Sequence, residues 1–571
     1  MCGIFCAINC DGVSKSTELK NILLRRGPDF SASVAVNYDN VQMEFACSVL
    51  WQQGLSVCPQ PFETGNFLIL FNGDIFNIPC ELSSCSDTEW LGNEISKCQC
   101  ESDICSTIQS LEGPFSLIIY NKCSGILYVC RDALGRNSLI MEAEDSKLRF
   151  LSTSYNFNAN GDDVPAIMEL PPLGLYAFNV TLPTEWKLYP WREIDHTMLN
   201  EIKKFNEIFR INVSIENYLQ PKWLCNDLET TRSFNFYEMC KNLEPTCNNL
   251  FEILLENKYV LEELQSFSLL LEESVKNRVR HTPPRCVNCS NQQGICNHAK
   301  IAILFSGGID CSILAALSHK YVDDHDSIDL INIAFERLSP GLETSWDVPD
   351  RLTAKNSFAE LKKLYPQRNW NYVEVNISRQ ELYDNLQSHI KHLIYPLKTV
   401  LDESIGSAFW FASRGKGICL GKEYLSPARV VIVGSGADEL FGGYTRHRNA
   451  FWRFKGTDIE KLENLHKELD KDWNRIWARN LGRDDRVVAD NSKTLRAPFI
   501  EEHLVQYVRS FSPSQLCCFL LKEGVGDKLF LRLYGFQLGL RNIAYEKKRA
   551  IQFGSKIANK KQNATDPSIY L

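Results

Sequence analysis

A chain of 571 residues is larger than one hydrophobic core ordinarily supports, and its formal net charge of −8 argues against a dominant nucleic-acid role, so two domains serving small-molecule chemistry are expected. Hydrophobic residues at 44% and charged residues at 23% describe a soluble globular protein, and no apolar run approaches the ~18 residues of a membrane span. With neither a basic leader nor a long apolar stretch at the N-terminus, the expected setting is the cytoplasm, with the 22 cysteines mostly reduced.

The chain opens Met1-Cys2-Gly3-Ile4-Phe5. Removal of the methionine would leave a thiol and a free α-amino group on one residue, and an α-amino group titrates near ~8, so part of it is a base at neutral pH. Cys2 is thus a candidate nucleophile with its own proton acceptor; taken alone, it reads more readily as a small buried apolar residue. Apolar segments at Gly3 to Asn9, Phe67 to Phe71, Phe115 to Tyr120 and Gly125 to Cys130 are parted by glycine, proline and asparagine turns, which predicts a sandwich of antiparallel sheets. Polar turns stand among them: Arg26-Gly27-Pro28-Asp29, Asn72-Gly73-Asp74-Ile75-Phe76-Asn77, Ser86-Asp87-Thr88-Glu89, Glu112-Gly113-Pro114-Phe115 and Arg131-Asp132-Ala133-Leu134-Gly135-Arg136. Each by itself is only a loop.

Taken in this order behind Cys2, the turns resemble the class II, N-terminal nucleophile glutamine amidotransferase domain, an α+β sandwich, over roughly residues 2 to 184. The resemblance implies that Cys2 attacks the γ-amide of glutamine, that Asn72 and the backbone of Gly73 stabilise the oxyanion, and that Asp87 binds the substrate's α-ammonium. Donors aimed at developing negative charge, and a carboxylate facing an ammonium ion, suit those roles physically. The loop that holds a carboxylate-clamping arginine in that family reads Ser48-Val49-Leu50-Trp51-Gln52-Gln53-Gly54 here, without one.

Residues 185–284 are expected to form a helical connector, with Leu250, Leu254, Leu255, Leu261, Leu264, Leu269, Leu270 and Val275 making an amphipathic face. Cys286-Val287-Asn288-Cys289 followed by Cys296-Asn297-His298 has the count and first spacing of a small structural Zn2+ knuckle; a reduced, metal-free insertion is the other reading.

Lys300-Ile301-Ala302-Ile303-Leu304-Phe305 is a buried strand that runs into Ser306-Gly307-Gly308-Ile309-Asp310-Cys311-Ser312. A strand ending in Ser-Gly-Gly and feeding a helix aims backbone N–H groups at one spot, a phosphate site. Without Gly-Lys-Ser/Thr it is not the Walker turn, and Asp310 at the loop suits Mg2+ on pyrophosphate. A second strand, Arg429-Val430-Val431-Ile432-Val433, ends in Gly434-Ser435-Gly436-Ala437-Asp438-Glu439, and two such turns at strand carboxyl ends can face one ligand. Downstream, Arg483-Asp484-Asp485-Arg486 and Arg496-Ala497-Pro498-Phe499-Ile500-Glu501 read locally as charged helix ends and a proline turn.

The whole set, over residues 285 to 556, resembles the α/β PP-loop ATP pyrophosphatase domain of glutamine-hydrolysing asparagine synthetase, leaving 557–571 as a polar, frayed tail. The resemblance implies a two-site enzyme using glutamine, ATP, Mg2+ and aspartate. Ser306, Gly307, Gly308, Asp310 and Ser312 would cradle pyrophosphate, with Leu304 near adenine; Gly434, Ser435, Gly436 and Asp438 complete the ATP site, and Asp310 and Asp438 hold Mg2+. Two positions depart from that family: Ser435 stands where a glutamate serves the acceptor, and Ala550 where a late lysine stands, with Lys547, Lys548 and Arg549 beside it. Three readings follow: an asparagine synthetase, a ligase with another carboxylate acceptor, and a regulatory protein on a synthetase scaffold.

Overall fold

Gly3–Ile8 is buried at every position because it is covered on both faces. Ile4, Cys6 and Ile8 enter one core, while Phe5 and Ala7 meet Leu19 and Leu23 of the helix Thr17–Arg26 on the other side. The structure is a computed structural model that describes residues 1–79, 85–144, 147–155, 165–224, 233–241, 249–289, 296–337, 345–558 and 563–571.

The strand lies in a six-stranded sheet ordered Ala166–Glu169, Ile140–Glu144, Lys147–Leu151, Gly3–Ile8, Val41–Val49, Phe30–Tyr38. Opposite it lies a seven-stranded sheet ordered Asn212–Ile215, Glu185–Pro190, Gly174–Asn179, Ile126–Arg131, Phe115–Asn121, Phe67–Gly73, Phe62–Thr64. Leu68 and Leu70 share the inter-sheet core with Ile4 and Cys6, and Ile69 and Phe71 pack outward on Leu91, Ile95 and Ile104 of the helices Asp87–Ser96 and Glu101–Gln109. The first body is therefore two sheets between helical layers.

Two strands of this sheet lie beyond residue 184, where a helical connector was expected. Trp186 and Leu188 alternate with Glu185 and Lys187, a period-two pattern that marks a strand, and Glu185–Pro190 pairs with Gly174–Asn179. The helix Lys258–Arg280 does form, but its inward face is Val260, Leu264, Phe267, Leu271 and Val275, whereas Leu261 and Leu269 face solvent. The three- and four-residue spacing marked the helix and part of its buried face, Leu264 and Val275; packing set the rest.

The second body is built on a seven-stranded sheet ordered Lys422–Leu425, Lys416–Cys419, Trp370–Ile377, Ile328–Phe335, Ile301–Leu304, Val430–Ile432, Thr494–Arg496. The last five are parallel and the first two form an antiparallel edge. Ile301–Leu304 and Val430–Ile432 are direct neighbours, so the turns at their carboxyl ends emerge side by side. The C-terminal segment is docked, not frayed: the amides of Val400, Leu401 and Ser568 bond to Asp566, Ala564 and Lys398, and Tyr570 meets Tyr383. No helix among the described residues is long and apolar enough to cross a membrane.

Ion pairs, all but one of them buried on both sides, join the two bodies. Arg496 grips Asp74 through two bonds of 2.9 and 2.7 Å, Arg26 meets Asp485 at 3.2 Å, Arg25 meets Asp490, and Arg136 and Arg486 reach Glu502 and Glu169. The segments that read locally as charged helix ends, 483–486 and 496–501, thus lie in the interface, with Arg483, Asp485, Arg486 and Arg496 at 1% exposure or less. Such pairs roughly break even in stability, but removing one partner costs about 3–5 kcal/mol, so they specify how the bodies dock.

Candidate active sites

Cys2 is buried at the start of Gly3–Ile8, and its carbonyl accepts from Arg26 Nε (3.1 Å) and Ser152 Oγ (3.2 Å). A hydrogen bond from the Cys47 thiol lowers the Cys2 thiol to about 7, with the terminal amine and Arg26 helping against the burial that opposes ionisation. Met1 precedes it here, its amine donating to Thr494 Oγ1 at 2.9 Å and lowered by burial to about 6. Gln60, not anticipated from the sequence, links this corner. Its Nε2 lies 3.9 Å from Cys2 Sγ and donates to Phe71 O (3.1 Å) and Thr88 Oγ1 (3.2 Å), while its Oε1 takes the Phe71 amide at 2.7 Å.

Asp87 opens the helix Asp87–Ser96, bonded to Thr88 N at 2.8 Å. It is buried, and among the described residues no cation pairs with it; burial, then the charge of Asp74, pushes its carboxyl up to about 8. Asn72 and Gly73 close the strand Phe67–Gly73. Asn72 Nδ2 donates to Ser116 Oγ at 3.1 Å, leaving its buried Oδ1 with no hydrogen-bond partner among the described residues. A Cβ on Gly73 would lie 2.2 Å from Pro114 O, so only glycine fits there. The arginine-free loop is reached from the second body by Arg429, which bonds Asp29 at 2.8 Å and stacks 5.9 Å from the Trp51 ring.

In the second body Gly307 takes φ +81°, and a Cβ there would lie 2.5 Å from Ala354 Cα, so the helix Pro349–Leu364 closes on its back. Ser357 Oγ donates to Gly307 O at 2.7 Å and Asn332 Nδ2 to Phe305 O at 2.8 Å, fixing the turn from behind. A Cβ on Gly308 would meet open space apart from Ser306 Oγ at 3.5 Å. Gly308 caps the helix Ile309–Ser318, whose Ser312 Oγ is buried without a hydrogen-bond partner among the described residues. Leu304, which ends its strand, is half-buried. The two turns touch: a Cβ on Gly434 would lie 2.9 Å from Asp310 Cβ, and Gly436 has φ +94°.

Asp310 and Asp438 share one partner. Lys528 Nζ lies 2.8 and 2.7 Å from the Asp310 oxygens and 3.0 Å from Asp438 Oδ1, and Lys548 binds the other Asp438 oxygen. Burial alone would drive the Lys528 ammonium down, but the two carboxylates hold it above the ordinary lysine value; likewise the lysines overcome burial to keep Asp438 well below the carboxylate range. Sequence reading missed Lys528, which lies 218 residues from Asp310 and carries no local signal. Of the three cations around Ala550, Lys548 reaches the site; Lys547 pairs with Glu523 and Arg549 bonds Thr353. Ser435 is half-buried, and Glu439, four residues on, accepts from Tyr444 and Asn480.

A family model described as a glutamine amidotransferase domain matches residues 1–207, and one described as asparagine synthase matches residues 296–519. An asparagine synthetase domain-containing protein of Drosophila melanogaster is 46% identical over all of both chains. Asparagine synthetase domain-containing protein 1 of Bos taurus is 34% identical over 99% of this chain and 96% of its own, and the Homo sapiens protein of that name is 33% identical over 98% and 95%.

Proposed function

Because this chain belongs to the family of asparagine synthetase domain-containing proteins, we propose that it is a glutamine-dependent, ATP-consuming C–N ligase that transfers ammonia to a carboxylate, with aspartate the first candidate acceptor. The observation that carries the reading is the pairing, in one chain, of the buried Cys2, held by Arg26 and Gln60, with two adjoining glycine turns beside which the Ser312 hydroxyl is buried with no hydrogen-bond partner among the described residues.

With Met1 removed, the α-amine passes to Cys2 and takes the thiol proton; the sulfur adds to the glutamine γ-carbonyl, ammonia leaves, and water releases glutamate from the thioester. Ionised Asp87 receives the α-ammonium, for which it has no internal substitute. Rotating the Asn72 amide by 180° would let Ser116 donate to Oδ1 and free Nδ2 for the oxyanion, with the buried, unpartnered Oδ1 as the support.

In the second body the acceptor's carboxylate oxygen attacks the α-phosphorus of ATP and pyrophosphate leaves; ammonia then displaces AMP. Activation is required because a carboxylate is a poor electrophile until its oxygen becomes a leaving group. Asp310 and Asp438 fit Mg2+, since the two carboxylates converge on one cationic spot, now taken by Lys528 Nζ; bound there, Mg2+ would neutralise phosphate charge. Lys528 and Lys548 hold further positive charge at that spot.

A second acceptor is favoured by Ser435, which supplies no charge where that family has a glutamate. Incubation with glutamine, aspartate and MgATP separates the readings: asparagine with equimolar pyrophosphate supports the first, glutaminase activity with no asparagine supports the other acceptor, and silence in both removes the enzyme. Mass spectrometry should find Cys2 leading the native chain; a retained Met1 would remove the proposed base.

A further inference from the structure

Cys286, Cys289, Cys296 and His298 converge between the long helix and the central strand of the second body. Their ligand atoms all lie within 4.8 Å of one another. His298 Nδ1 stands 3.7, 3.4 and 3.8 Å from the sulfurs of Cys286, Cys289 and Cys296. Tetrahedral zinc with bonds of about 2.3 Å to sulfur and about 2.0 Å to nitrogen requires sulfur–nitrogen edges of about 3.5 Å, close to the three found. An iron–sulfur cluster spreads its ligands over several metal atoms and needs a wider cage.

We propose that these four residues bind one zinc ion that staples residues 281–289 and 296–300 to the sheet. Three thiolates and one imidazole fill a tetrahedral shell and leave no position for water or substrate, the hallmark of a structural site. The surroundings fit: the three cysteines are buried, the Cys286 amide points at Cys296 Sγ at 3.4 Å, and N–H groups aimed at sulfur favour the thiolate.

Position also assigns a structural role. His298 lies three residues before Ile301–Leu304, and the Val287 amide bonds Pro427 O at 3.1 Å, just ahead of the parallel strand Val430–Ile432. Buried Lys493 donates to the Ser426 and Ala428 carbonyls on either side of that proline. The site therefore sits at the amino ends of the two strands whose carboxyl ends carry the glycine turns.

Elemental analysis of the full chain, purified under reducing conditions without chelator, should read one zinc per molecule, and a mercurial thiol reagent should release it. Cobalt(II) exchanged into the wild-type protein should give the strong visible absorption of a tetrahedral thiolate site. The double variant Cys289→Ser/Cys296→Ser should lose the metal and melt at least about 5 °C lower. Less than about a tenth of an equivalent in wild type after reconstitution with zinc, or full zinc in the double variant, overturns the proposal. If the variant does not fold, the cobalt spectrum of the wild type decides, and its absence is equally fatal.

Discussion

Asp87 lies buried near Cys2 with no cation paired to it among the described residues, whereas Asp310 and Asp438, at the glycine turns of the other body, hold Lys528 between them and Lys548 on one side. The difference follows from what each place is proposed to receive. A site that takes an ammonium must leave its carboxylate unpaired, and burial then raises that group; a site that takes a polyphosphate and a divalent cation must hold positive charge, and its lysines keep Asp438 well below the ordinary carboxylate range.

The largest expected effect sharpens the separation of the halves. Cys2→Ala should lower glutamine-dependent product at least about a thousandfold while sparing product made from free ammonia, measured as pyrophosphate release with either nitrogen source. Next, Lys528→Met leaves two carboxylates facing each other and should cut ATP-dependent turnover about a hundredfold or more with glutaminase activity kept. An equal fall in both activities would mean that the lysine only holds the fold.

Asp87→Asn should weaken glutamine binding by about two orders of magnitude with the nucleotide half unaffected. The pH dependence has a definite sign. The free carboxyl stays protonated up to about 8, and the bound ammonium favours the ionised form, so glutamine affinity should rise about tenfold per unit from pH 6 to pH 8 and then level. Calorimetry in the Cys2→Ala background isolates Asp87 from the thiol, and a flat profile there would remove the uncompensated acid from the comparison. Smallest, Gln60→Leu should cost about tenfold in glutamine-dependent turnover by freeing Phe71 O and Thr88 Oγ1, leaving ATP use unchanged.

Much of each site is legible because its residues answer local geometry. Gly307 and Gly436 stand where φ is positive, Gly73 where a carbonyl passes, and Asp87 at a helix start. The strand Glu185–Pro190 was equally legible by its alternation, and was passed over because helical patterns follow it. Lys528, Gln60 and the interface arginines were not legible. Each is locally an ordinary polar residue, and its meaning comes from a partner dozens to hundreds of residues away.

The order of the glycine turns and the spacing of the cysteines can be read along the chain, since turn geometry acts over a few residues. Packing had to settle the full buried face of Lys258–Arg280, the closure of Arg496 on Asp74, the place of Lys528 between two acids, and the approach of His298 to the three thiols. The physical reason is that burial and charge compensation are properties of neighbours in space, and nothing along the chain encodes the dielectric around a side chain until the bodies have packed.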